Sequence, residues 1–109
     1  MTDKLVVFVS CESKEQAEKI AAAVVQERLA ACVNVMPAMR SCYVWEEKLT
    51  WADEVMLVIK TTGEAFAALE KRVLQLHTYE VPEIVGVKIE AGLNTYLKWV
   101  EESVGAGTK

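Results

Sequence analysis

A single histidine, two prolines and no C-x-x-C pair occur in these 109 residues, and each shortage removes a class of function. One histidine, His77, leaves no HExxH motif and no histidine pair for zinc chemistry. It also leaves Ser10, Ser41 and the cysteines one base among them for activation as nucleophiles. No glycine-rich phosphate loop or nucleophile elbow is present, so an enzyme is not expected and no catalytic residue is assigned. Three cysteines, Cys11, Cys32 and Cys42, stand at irregular spacing, which argues against a disulfide framework and for a reducing compartment. Cys32 in "AACVNV" and Cys42 in "SCYVW" read as buried small hydrophobes. Basic residues are outnumbered 12 to 16, for a net charge of −4, so the basic patch that nucleic acid demands is missing. No apolar run reaches membrane-spanning length. The opening "MTDKLVVFVSCES" has neither a basic n-region nor a long h-region and reads as a strand. The expected location is the cytoplasm, with no membrane partner.

What is abundant is apolar surface. Hydrophobic residues make up 52% of the chain and there are three tryptophans. A chain of this size buries roughly two-thirds of its unfolded surface in one domain. The surplus, rich in aromatics, points to a core that continues into a subunit interface.

Periodicity places the elements. "LVVFVS", residues 5 to 10, is a strand buried on both faces. Ser13 and Gln16 form a capping-box signature ahead of Ala17, Ile20, Ala21 and Val24 at helical spacing. "CVNVMPAMRSCYVW" (32–45) is β-rich, and Pro37 within it marks an edge, bulge or bend. "EEK" (46–48) reads as a hairpin tip before a return strand from about Leu49 to Thr61. Gly63 breaks the pattern. Phe66, Leu69, Val73 and Leu76 then share a helical face, with Glu64 in the first turn and His77 at the end. "PEIVGVKIE" is a fourth strand, "NTYLKWVEE" a last helix and "SVGAGTK" a frayed tail. The expected organisation is one domain over 1–109, ordered from about 4 to 102 with 103–109 flexible. Two βαβ halves joined by a hairpin leave few right-handed solutions. The expected one is α+β, a ferredoxin-like split βαβ (βαββαβ plus a C-terminal helix) with helices on one face of an antiparallel sheet. The other face is left for neighbouring subunits to cover.

Five motifs in register, "RLAACVNV", "SCYVWEEKL", "VIKTT", "HTYEVPEI" and "YLKWV", resemble the CutA family of divalent-cation tolerance proteins, and the resemblance covers residues 5 to about 100. It implies a ferredoxin-like subunit in a tight homotrimer and a cytoplasmic protein in bacteria. It also implies a role in tolerance of copper and other divalent metals, and an architecture similar to the PII-type regulators. The chain departs from the family pattern at Glu47, where a glycine usually sits at the hairpin tip, and at Thr78, where a proline follows the histidine. Glutamate bears a steric cost at φ > 0 that glycine does not, and loss of the proline loosens the loop. Some members carry a cysteine and a second histidine at positions that are Val9 and Leu76 here, so of the resemblance's metal ligands only His77 transfers.

The site residues follow from these readings. Glu80 and Glu83 lie close to His77, and imidazole with carboxylate suits copper, zinc or nickel. The structural alternative is that His77 ends a helix and bonds nearby carbonyls. Tyr79 and Glu83 fall on one side of an extended segment, and Pro82 keeps Val81 extended. Weak Cu(II) or other divalent metal binding at His77, Glu80 and Glu83 is expected, with no obligatory cofactor. The competing class is a small-molecule sensor or scaffold trimer with its ligand in an intersubunit cleft. Tyr43, Trp45, Lys60 and Tyr79, at strand ends and loops, are its lining candidates.

Overall fold

Strand β1 (Lys4–Cys11) leads into α1 (Lys14–Gln26), and the long hairpin of β2 (Cys32–Trp45) and β3 (Lys48–Thr62) follows. Helix α2 (Phe66–Leu76), strand β4 (Ile84–Lys88) and helix α3 (Asn94–Ser103) complete the chain in this computed structural model, which describes residues 3–105. The sheet order is β2-β3-β1-β4 and every neighbouring pair is antiparallel. This is the α+β, ferredoxin-like arrangement expected from the order of elements.

Local chemistry explains most boundaries. Ser13 Oγ accepts the Gln16 N–H at 3.1 Å, as its cap position predicts. The reciprocal half of the box is not made. Gln16 Nε2 instead donates to the Leu76 carbonyl at 2.8 Å, tying the start of α1 to the end of α2. Helix α1 stops where Arg28 turns left-handed at φ 63°, and the Leu29 N–H then reaches back to the Val24 carbonyl. Helix α2 begins at Phe66, so Glu64 precedes its first turn rather than lying in it. Ring edge and backbone touch at Gly86, where an added Cβ would sit 3.3 Å from Phe66 Cε1.

Pro37 sits in a β-bulge between Met36 and Met39, with Ala38 at φ 64°. The hairpin tip is tighter than "EEK" suggests. Lys48 pairs with Trp45, so only Glu46 and Glu47 form the turn, at φ 50° and 67°. Both residues are left-handed, as a type I′ turn requires and as Asn-Gly would supply without strain. Glutamate bears that strain at roughly 1 kcal/mol or more per residue. Glu47→Gly is therefore expected to stabilise the protein by about 1 kcal/mol per subunit, read as a higher midpoint in urea or heat. A lower midpoint would show that the turn is not strained.

The core lies on one sheet face. Val7, Val9 and Cys11 of β1 and Leu57, Ile59 and Thr61 of β3 meet Ala17, Ile20 and Val24 of α1 and Leu69 and Val73 of α2, all of them fully buried. On the opposite face alternation places Val6 and Phe8, Met56 and Val58, Val85 and Val87. Helix α3 packs against β3 and β1 and covers one end of that face, where Lys4 bonds Glu101 at 2.9 Å. The rest stays open, with Val85 and Val87 half-exposed. Residues Ser103 to Gly105 belong to the fold, since the Gly105 N–H bonds the Arg28 carbonyl at 2.8 Å. The remainder of the expected flexible tail, 106–109, lies outside the described residues. Two readings of cysteine need correction: Cys32 is only partly buried and Cys42 is exposed. Cys42 sits on the hairpin beyond the core, opposite Trp51.

β1 pairs with β3 only over Val55–Thr62. The portions Met39–Trp45 and Lys48–Glu54 therefore project as a two-stranded ribbon. Such ribbons are marginal alone in water, and this one exposes Val44 and Leu49 at 69% each and Trp45 at 63%.

Candidate functional site

One face of the ribbon and the loop after α2 enclose a cavity of about 640 Å³. Register explains the ribbon's share. Ser41 pairs with Ala52, Tyr43 with Thr50 and Trp45 with Lys48, while Glu54 stands opposite Met39. Strand alternation then directs Ser41, Tyr43, Trp45 and Glu54 to one face. That face continues the open face of the sheet, which contributes Ser10. The loop supplies Tyr79, Glu80, Val81 and Glu83.

The loop is held from below. The Tyr79 N–H donates to His77 Nδ1 at 3.0 Å, so that nitrogen carries no proton. The other nitrogen, Nε2, stands 2.7 Å from the Ser10 carbonyl and must donate to it. β4 pairs with β1 only as far as Val9 and Ile84, so His77 takes up β1's pairing one residue beyond the end of β4. Its ring lies 4.8 Å from that of Tyr79. Next to it, Thr78 Oγ1 donates to Glu12 at 2.6 Å. A proline there has no hydroxyl, so this bond offsets the loosening expected of the departure.

The Tyr79 hydroxyl donates to Glu54 Oε2 at 2.6 Å. Burial pushes the phenol well above the ordinary tyrosine range, and the Glu54 bond and the charges of Glu54 and Glu12 push it further. Glu54 is only 8% exposed. No cationic side chain lines the cavity, and among the described residues no lysine or arginine forms an ion pair with Glu54. Arg40 is near in sequence, but it lies on the other face of the ribbon. There it meets Asp53 at 3.4 Å and stacks 4.8 Å from the Trp51 ring centre.

The structure therefore brings Tyr43, Trp45, Tyr79, Glu80 and Glu83 to one cavity. His77 is the support behind Tyr79 and does not line it. Lys60 is elsewhere, opposite Cys32 on the sheet, where its ammonium bonds Asn34 Oδ1. Among the described residues, no three His, Cys, Asp or Glu side chains converge as a metal cluster. Cys11 offers no thiolate at neutral pH, because burial pushes its thiol up to about 11, with the charges of Glu54 and Glu12 adding to the shift. Glu54 is the residue that sequence reading missed. Its signal was available: counting back from a two-residue turn at Glu46–Glu47 puts it on the same face as Tyr43 and Trp45.

A family model described as CutA1 divalent ion tolerance protein matches residues 5–103. The divalent-cation tolerance protein CutA of Thermus thermophilus is 46% identical over 92% of this chain and 97% of its own length. A solved structure from Thermus thermophilus, divalent cation tolerance protein (Cut A1), superposes with a TM-score of 0.92 at 45% identity, covering 94% of this chain and 99% of that one. The periplasmic divalent cation tolerance protein CutA of Archaeoglobus fulgidus gives 0.89 at 36% identity, covering 92% and 97%. The chloroplastic CutA of Arabidopsis thaliana is 39% identical over 91% of this chain, which spans 54% of that longer protein.

Proposed function

From the premise that the chain belongs to the CutA1 divalent ion tolerance family, we propose that it serves divalent-cation tolerance as a non-enzymatic homotrimer that binds metal weakly. The observation that supports the metal reading is the acidic loop that follows His77, whose Glu80 and Glu83 line a cavity with no cationic side chain in its lining. Carboxylates unopposed by base favour cations. The trimer reading is supported by the open sheet face and the projecting ribbon, which together leave a large apolar surface without cover. Relatives carry both periplasmic and chloroplastic in their names. No helix of the described residues is long and apolar enough to cross a membrane. The cytoplasm is our proposal for this chain, supported by its three free cysteines.

We assign Cu(II) as the metal, with His77 as anchor and Glu80 or Glu83 as the second ligand. A metal at Nδ1 displaces the Tyr79 N–H, and one at Nε2 displaces the Ser10 carbonyl. Either exchange forfeits a hydrogen bond worth about 1 kcal/mol net, which weakens ligation without forbidding it. Isothermal titration with Cu(II) at neutral and mildly acidic pH tests the assignment. Imidazole ligates only when neutral, so binding should weaken in acid. His77→Ala should lower affinity by about tenfold or more, the loss that follows even removal of an outer-shell partner. Equal binding by the variant at both pH values would remove His77 as a ligand.

A second reading, a small-molecule sensor akin to the PII regulators, is favoured by the size of the cavity, within the range of ligand pockets. Its acidic lining disfavours an anionic metabolite.

A further inference from the structure

Among the described residues, three of the four non-glycine positions with positive φ belong to the β2–β3 ribbon: Glu46 and Glu47 at its tip and Ala38, at 64°, at its base. Left-handed backbone in a residue other than glycine persists only where its surroundings force it, and the register shows what forces Ala38. β2 takes 13 steps from Cys32 to Trp45 while β3 takes 12 from Lys48 to Lys60, and the extra residue falls where Pro37 and Ala38 together oppose Val55. β3 cannot slide to absorb it. Val55 is buried and pairs with Cys11 of β1, and the neighbouring Glu54 accepts the Tyr79 hydroxyl. The strain is therefore confined to β2, beside Pro37, whose ring fixes its own φ at about −65°.

That position is the junction of sheet and ribbon, since β3 pairs with β1 no further than Val55. A bulge there has two effects. It bends the bulged strand and increases its twist, so it gives the ribbon its direction relative to the sheet. It also changes which side chains fall on each side. Strict alternation from Asn34 and Met36 would carry Arg40, Cys42 and Val44 onto the open face. The extra residue puts Ser41, Tyr43 and Trp45 there instead, and leaves Arg40 with its ion-pair partner Asp53 on the other side.

We propose that the Pro37–Ala38 bulge aims the ribbon for assembly: its bend sets the direction in which the ribbon reaches a second copy of this chain. This rests on the homotrimer reading given above and names the backbone feature on which that assembly depends. Two residues of restricted conformation suit the task. Proline pre-sets one torsion and the left-handed alanine occupies a narrow well. Little direction is then left to be fixed on association, and preorganisation of this kind strengthens binding.

Deletion of Pro37 separates direction from surface chemistry. Removing one residue restores a regular ladder with Ala38 opposite Val55, keeps every other pairing and both sets of facing side chains, and loses only the bend. The variant should keep its helices by circular dichroism yet sediment at 12.1 kDa at low micromolar concentration, where the wild-type chain should give three times that mass. Pro37→Ala keeps the residue count and should stay trimeric. A double variant, Pro37→Gly with Ala38→Gly, keeps the bulge but frees its torsions. It should raise the concentration at which the trimer half-dissociates by at least about tenfold, since both residues must then be ordered on association. This variant decides the matter should the deletion fail to fold. A folded deletion variant with the wild-type mass, a Pro37→Ala variant that dissociates as the deletion does, or a double-glycine variant with unchanged dissociation would overturn the proposal. A wild-type monomer would overturn the homotrimer reading with it.

Discussion

Trp45→Ala should dissociate or markedly destabilise the proposed homotrimer while leaving the subunit fold in place. The reasoning turns on where Trp45 stands. It is the last residue of β2, at the tip of a ribbon that the 79–83 loop closes over at its base through the Tyr79–Glu54 bond. It is 63% exposed in the protomer, so little intrachain burial is lost on truncation. In an assembly that covers the ribbon the same side chain becomes a buried aromatic. Truncating a buried aromatic costs about 3–5 kcal/mol, and three copies lose it at once. Because association binds the folded subunit and not the unfolded chain, that loss appears as both a lower mass and a lower melting temperature. A variant unchanged in both would show Trp45 to be a surface residue with no role in assembly. Trp51 makes a useful contrast, since within the chain it already carries the Arg40 guanidinium on its ring.

His77→Ala carries the second large effect. The ring satisfies two backbone groups, the Ser10 carbonyl and the Tyr79 N–H. Ser10 is nearly buried at 6% exposure, and its carbonyl loses this partner when the ring is removed. An unsatisfied buried acceptor costs about 1–3 kcal/mol and the second bond adds about 1, so the variant should lose about 2–4 kcal/mol. The loss should be local in character. The 79–83 loop would separate from β1, so the Tyr79 amide should exchange with deuterium much faster while the amides of β1 and β3 keep their protection. Thr78 still holds Glu12 and limits the opening. Unchanged stability with unchanged exchange at Tyr79 would mean that the histidine does not hold the loop.

The scaffold was legible because its signals are local. The Ser13 cap, the helical spacing of Ala17, Ile20 and Val24, and the charged break at 46–48 each act over a few residues, and the structure keeps the first two and narrows the third to Glu46–Glu47. Right-handed connection of two βαβ halves then fixed the strand order. What failed depends on contacts distant in sequence. Lys60, read as a lining candidate of an intersubunit cleft, stands at the sheet end of β3, apart from the cavity within the protomer, which forms where the ribbon leaves the sheet. Cys42 looked buried because "SCYVW" reads as a strand, but the strand runs past the core. Helix α3 was expected without a place, and only the Lys4–Glu101 bond shows that it shares the second sheet face. Glu54 was hidden because a charge opening an apolar strand usually means a surfacing chain. Here Tyr79, 25 residues further on, closes over it.

The proposed homotrimer underlies the proposed function, since it would cover the open part of the sheet face and the exposed tip of the ribbon. Sedimentation equilibrium of the wild-type chain at low micromolar concentration tests it most directly. The account predicts a single species at three times the 12.1 kDa of one chain, and a well-behaved 12.1 kDa monomer under the same conditions would contradict it.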